Sequence, residues 1–254
     1  MLYNPNNTPE ENLETLAGVK YPGRLLAVGK TTTGLAAQVY IVEGRSEGSR
    51  NRVLIEEDNI VSTKPFDVKK PVGNPKLTIY DAMRRTGTTH VVSNGDQTTT
   101  AIQFLRSGKT FQAAMNRRQF EPDKPNYTSR ISAFTELKPI EGSPSFGISV
   151  VRKLHVTGGP LRNYYEGGYT GLETPANGVG YAVQTYSGDG KPLPSFNERP
   201  FTLPLGEGAE DTAQMIWERL DPENRVAIAA KTISATGIVD ISIINQREQE
   251  KRAA

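Results

Sequence analysis

Apolar residues in this chain occur in short runs, each closed off by glycine, proline or a small polar turn. None comes near the ~20 residues that a membrane-spanning helix needs. Runs of this length, rich in β-branched and aromatic side chains, predict strands. The strand candidates are residues 23–30 (GRLLAVGK), 38–43 (QVYIVE), 52–57 (RVLIEE), 88–93 (TTHVVS), 130–135, 146–154, 161–166, 179–185, 225–231 and 238–244, and 77–84 leans the same way. In the last of the ten, Val239, Ile241 and Ile243 alternate with Asp240 and Ser242, as in a half-buried strand. With 24 glycines and 17 prolines in 254 residues, turns are frequent and long helices few.

Helical spacing shows in three places. After Asn94-Gly95-Asp96, a turn that can also cap a helix, Ala101, Ile102 and Leu105 share a face. Phe111, Ala114 and Met115 follow Thr110 at helical spacing, and Ala209, Ala213, Ile216, Trp217 and Leu220 line one stripe further on. Residues 65–76, with three prolines and several lysines, read as a loop. The order is strands, two helices, more strands, one helix, two strands. It departs from strict βα alternation and predicts an α+β fold of mostly antiparallel sheets covered by helices. No linker divides the chain. It reads as a polar extension, 1–20, packed on a single domain, 21–254.

Thirty basic residues against 28 acidic ones argue against nucleic acid as the main partner. The absence of cysteine rules out thiolate chemistry and Cys-based metal sites and fits a cytoplasmic location. His90 and His155 are the only histidines; both sit in strand-like runs and read as structural. With no cysteine and two histidines no metal is expected, with no long apolar run no membrane is expected as a partner, and the start of the chain lacks the basic-then-apolar order of a secretion signal.

No nucleotide-loop, metalloprotease or serine-hydrolase motif is present. The glycine-rich pieces Gly158-Gly159-Pro160 and Gly167-Gly168 read as turns. Four polar clusters sit at the ends of apolar runs. Arg45, Arg50 and Arg52, with Ser46 and Ser49, offer guanidinium forks that match a phosphomonoester, although such a loop is more commonly a solvated surface. Ser93-Asn94-Gly95-Asp96 marks a strand-to-helix junction, where free amides can hold an anion or a polar ring; a plain cap is the commoner outcome. The stretch from Glu121 to Arg130, with Asn126 inside it, brackets a proline-stiffened loop in which a held carboxylate can act as a base, or form an ordinary ion pair. Asn74-Pro75-Lys76 precedes Tyr80, whose phenol can donate a proton or sit in the core with its hydroxyl satisfied.

Taken in order, residues 21–30 (YPGRLLAVGK), 44–52 (GRSEGSRNR), Asn74-Pro75 with Tyr80, 91–96 (VVSNGD), Phe120-Glu121 and 126–133 (NYTSRISA) make the chain resemble the archaeal-type IMP cyclohydrolase family. The resemblance covers residues 21–151 well and the C-terminal part loosely; 1–20 and part of 161–206 look like additions to the family pattern. It implies a four-layered αββα sandwich like that of the N-terminal-nucleophile hydrolases, without their nucleophile, since no Cys, Ser or Thr opens the first strand. The implied reaction needs no cofactor. The carboxamide nitrogen of 5-formamidoimidazole-4-carboxamide ribonucleotide attacks the neighbouring formyl carbon, and water leaves to give IMP. The resemblance also implies a homo-oligomer.

On this reading Glu121 orients or deprotonates the carboxamide, and Tyr80 or Arg45 stabilises charge on the formyl oxygen. Arg45, Arg50 and Arg52 compete for the phosphate, with Lys30 an outside candidate. Tyr21, Arg24, Asn74, Ser93, Asn94, Gly95, Asp96, Asn126 and Arg130 line the substrate site. Two alternatives stay open: a purine-nucleotide-binding protein without turnover, and a true amide hydrolase of the N-terminal-nucleophile type.

Overall fold

The computed structural model describes residues 2–4, 6–153, 160–165 and 175–253. In chain order the elements are α1 (Pro9–Ala17), β1 (Arg24–Lys30), β2 (Ala36–Glu43), α2 (Glu47–Arg50), β3 (Arg52–Glu57), β4 (Ile60–Pro65), α3 (Pro75–Thr78), β5 (Asp81–Thr86), β6 (Thr89–Ser93), α4 (Gln97–Arg106), α5 (Phe111–Met115), β7 (Arg130–Glu136), β8 (Phe146–Lys153), β9 (Pro160–Tyr165), β10 (Val179–Gln184), β11 (Phe201–Pro204), α6 (Ala209–Trp217), β12 (Arg225–Ile233), β13 (Val239–Asn245) and α7 (Gln246–Ala253). The chain is an α+β protein on two antiparallel sheets. One has six strands in the order β11-β10-β1-β2-β12-β13, and the other is a seven-stranded meander from β3 to β9.

The central strands bury both faces, which is why β1 and β2 read as continuous apolar runs. Alternation sorts their side chains. Leu25, Ala27, Val39 and Ile41 join a cluster with Leu13 and Leu16 of α1 and Ala213, Ile216 and Trp217 of α6. Leu26, Val28, Tyr40 and Val42 point the other way and pack with Val61, Ala82, Val92, Ile131, Ala133 and Ile148 of the second sheet. On that sheet's opposite side, Val91 and Phe134 pack with Ala101 and Ile102 of α4 and Phe111 and Ala114 of α5. Arg24, two residues before Leu26, is in phase with the set that faces the second sheet.

Several expectations need correction. The 65–76 loop begins on the last residue of β4, Pro65, and ends inside α3, which starts at Pro75. The strand expected over 77–84 begins only at Asp81, because 77–78 close α3, whose first turn is opened by Pro75 and capped by Asn74. Ser46 and Ser49 form a reciprocal capping box on α2, so they hold the arginine loop in shape. The polar extension contains α1, whose Thr8–Glu11 capping box starts a helix with a narrow buried stripe. Strand β11 and helix α7 were not foreseen: β11 is only four residues long, and α7 is polar throughout. Leu154, His155, Gly158, Gly159, Glu166, Gly167 and Gly168 lie outside the described residues. Among the described residues no helix is long and apolar enough to cross a membrane.

Candidate active site

Antiparallel pairing brings several strand ends together. Arg24 opens β1 opposite Val42 near the end of β2, and Leu25 pairs with Gln184 at the end of β10. In the second sheet, the start of β3 lies beside the end of β4, and the end of β6 beside the start of β7. The two sets of ends meet. Arg24 Nη2 lies 2.7 Å from Glu121 Oε1, in the connector before β7. Tyr40 and Tyr80 bring their hydroxyls within 2.6 Å across the sheets. Arg52 Nη2 donates to the Glu43 carbonyl at 3.1 Å.

Glu121 is 2% exposed. Burial pushes its carboxyl above the ordinary range, against the pull of Arg24 and Arg130. Burial opposes the charge on Arg24 too, but Glu121, with Tyr80, Tyr186 and Tyr40 around it, more than restores it, and Arg24 is held firmly cationic. Its Nε has no partner among the described residues. The Tyr40 phenol is raised well above its usual value by burial and by Tyr80 beside it. Tyr40 therefore stays protonated, and whichever hydroxyl of the two accepts the bond between them keeps its own hydrogen for an outward bond.

A second shelf of rings and guanidiniums lies beside this pair. Tyr21 stacks on Tyr186 with centroids 5.8 Å apart, and the Arg45 guanidinium sits 4.9 Å from the centre of the Tyr21 ring. Burial raises the Tyr21 phenol while Arg24, Arg52 and Arg45 pull it down, so all three cations are within electrostatic reach of one ring. Arg45 is also paired with Asp189. Arg52 is 2% exposed, and its Nη1 has no partner among the described residues. Glu43, buried beside this shelf, is raised well above the carboxylate range by the same desolvation.

The remaining candidates divide. Asn94 spends its side chain on the fold: Nδ2 donates to the Ser129 carbonyl at 2.9 Å, while Oδ1 accepts from Ile131 N and Gln97 Nε2 at 2.9 and 2.7 Å. Gly95 is needed for space, because a Cβ there would lie 2.6 Å from Arg130 Nη1 and from Gln97 Oε1. Arg130 is tied to Gln119 O, Asp96 and Gln97, behind Glu121. Ser93 is buried at the end of β6. Asn126 Oδ1 accepts from Leu193 N, joining the Glu121 connector to the loop after β10.

Lys30, Arg50 and Asn74 do not join the site. Lys30 ends β1, about 20 Å from Arg24 at the rise of an extended strand. Arg50 turns away to Gly44 O and Asn224, towards a separate cleft with Arg225 and Arg247. Asn74 is exposed and caps α3. Sequence reasoning missed Tyr40, Tyr186 and Thr128. Tyr40 was hidden inside an apolar run, and Tyr186 lies just past a strand, with no motif around it.

The fold and this cluster define a class: an α+β protein with arginine, tyrosine and carboxylate groups enclosed where the ends of two antiparallel sheets meet. Residues 21–237 match the family described as IMP cyclohydrolase-like protein. Over 220 residues the chain is 30% identical to the IMP cyclohydrolase of Methanocaldococcus jannaschii, covering 86% of this chain and 96% of that protein. It is 31% identical over 97 residues to the IMP cyclohydrolase of Methanococcus maripaludis strain C7, covering 38% of this chain and 47% of that protein. The chain belongs to the IMP cyclohydrolase-like family.

Proposed function

We propose that this chain closes 5-formamidoimidazole-4-carboxamide ribonucleotide to IMP with loss of water. Family membership and the full-length relative support the reaction. The observation that carries the residue roles is the buried Arg24–Glu121 pair beside the Tyr40–Tyr80 hydroxyl pair. Nucleophile and electrophile already share one molecule, so holding them in the reactive rotamer is the main task; orientation of this kind contributes up to ~7–11 kcal/mol. Glu121, raised by burial, is a stronger base than an exposed carboxylate and takes a proton from the carboxamide nitrogen as it attacks. Tyr80, with Tyr40 behind it, donates to the formyl oxygen as charge develops there. Arg24 fixes Glu121 in place. Arg45 and Arg52 hold the 5′-phosphate, Arg52 through Nη1, which has no partner among the described residues, so remote binding energy positions the ring.

The wider reading is of one domain from residue 21, with 1–20 added to it, and of helices outside two facing sheets as the αββα sandwich of the N-terminal-nucleophile hydrolases. Here the first strand opens with Arg24, preceded by Gly23, in place of a nucleophile. A cytoplasmic, homo-oligomeric enzyme completes it. The test is the appearance of IMP from the formyl precursor, followed spectroscopically, together with direct IMP binding. Turnover supports the reading; tight IMP binding with no turnover supports a nucleotide-binding protein instead.

A further inference from the structure

Two features of the connector between α5 and β7 are left unused by these roles. Thr128 N donates to Asp123 Oδ1 at 2.7 Å, and the Thr128 hydroxyl bonds to both Asp123 Oδ2 and the Tyr186 hydroxyl. A threonine hydroxyl has one proton, and a carboxylate can only accept, so Thr128 donates to Asp123 and Tyr186 donates to Thr128. The direction of the chain is therefore fixed as Tyr186 to Thr128 to Asp123. Its inner end lies in the site: Tyr186 is 2% exposed, stacks on Tyr21 and stands within electrostatic reach of Arg24, while Glu121 N donates to the Thr128 carbonyl at 2.9 Å. Asp123, at the outer end, is partly exposed. Having donated once, the Tyr186 oxygen keeps a lone pair with which to accept.

The ring closure needs such a path, because it moves two protons from nitrogen to oxygen. In the attack, the carboxamide nitrogen bonds to the formyl carbon and gives one proton to Glu121, and the formyl oxygen takes one from Tyr80. In the loss of water, the C–O bond breaks, the oxygen takes the Glu121 proton, and the formamido nitrogen gives up its N–H as the ring C=N bond forms. Glu121 is engaged with the departing oxygen in this second exchange, Tyr80 has already served the attack, and Glu121 is buried from water.

Resting on the cyclohydrolase reading, we propose that Tyr186, Thr128 and Asp123 form a proton relay that takes this second proton out of the site. The formamido N–H proton passes to the Tyr186 oxygen, the Tyr186 proton to Thr128 Oγ1, and the Thr128 proton to Asp123 Oδ2. Asp123 then releases it to water and Tyr80 regains one from water, so the enzyme ends as it began. Tyr186 is a catalytic residue in this step; Thr128 and Asp123 position it and carry the proton onward.

Thr128→Val, which keeps the side-chain shape and removes the hydroxyl, is the test. It is expected to lower kcat about 100-fold, the lower range for a lost proton-transfer group, while IMP affinity stays within about 2-fold. Thr128→Ser is expected to restore most of the rate. The relay is overturned if Thr128→Val keeps kcat within about 3-fold of wild type, or if Thr128→Ser falls as far as Thr128→Val. Should Thr128→Val fail to fold, Tyr186→Phe carries the same expectation, since it leaves the Thr128–Asp123 bonds in place. Wild-type protein that makes no IMP would instead remove the cyclohydrolase reading itself.

Discussion

Arg24 reaches Glu121 only because it shares the side of β1 occupied by Leu26 and Val28, which aims a guanidinium between two sheets. Replacing Glu121 with Gln keeps the shape of this contact and removes the base. Turnover is expected to fall at least ~100-fold in a steady-state assay, while IMP affinity by calorimetry stays within several-fold. A collapse of IMP affinity with unchanged turnover per bound substrate would remove Glu121 from the chemistry. Two of the three loop arginines are separated by a second comparison. Arg52→Gln is expected to weaken IMP binding about 10-fold or more, through loss of a charge-assisted contact. Arg50→Gln, whose guanidinium serves Gly44 and Asn224, is expected to leave it unchanged. Equal losses in both variants would mean that the phosphate lies elsewhere. In the sequence these arginines suited a phosphate and, more commonly, a solvated loop; which of them turns inward was not legible, because α2 lies inside the loop and sends Arg50 and Arg52 to different partners.

At the scale of elements, paired strands carry polar groups into the space between the sheets as well as apolar ones. Lys231 of β12 pairs with Gln38 of β2, and Gln38 Nε2 reaches the His90 carbonyl and the Thr135 hydroxyl of the other sheet. Lys231 is fully buried, its Nζ has no partner among the described residues, and burial pulls it down to about 8. Removing an unpaired buried charge is favourable. Lys231→Met is therefore expected to raise stability at pH 7 by roughly 1–4 kcal/mol in urea denaturation. A loss of stability would show that the ammonium has a counter-group. Asn94→Ala is expected to cost roughly 2–4 kcal/mol in the same measurement, because it strips the bonds that join the end of β6 to β7. Most strands could be read from alternation and turn residues. β4 could not, because Lys64 and Pro65 mask its end, and α7 has no apolar stripe to announce it.

For the molecule as a whole, the depth of the space between the sheets ties stability to pH. His90 is fully buried, and burial, aided by Lys231 and Arg85, lowers it from 6.5 to about 3. Between those values the unfolded chain holds a proton that the folded chain refuses, so this group's contribution to stability is lost as pH falls from about 6.5 towards 3. Glu43 and Glu121, both raised, act in the opposite sense, so the His90 term is isolated by comparison with His90→Asn. The stability gap between wild type and variant is expected to move in the variant's favour by about 1.4 kcal/mol per pH unit between pH 6 and pH 4. A gap that does not change with pH would show that His90 titrates normally. Local order alone gave the antiparallel α+β character, the positions of most strands and the three apolar-faced helices after residue 90, because alternation, helical spacing and turn residues act over a few neighbours; the division into two sheets was not among the things it gave. Which side chains meet was decided by tertiary structure: Tyr40 reaches Tyr80, Arg24 reaches Glu121, and Thr128 reaches Tyr186 only once distant segments of the chain are brought together. No local pattern encodes those distances, since each joins residues that are 40 to 97 positions apart.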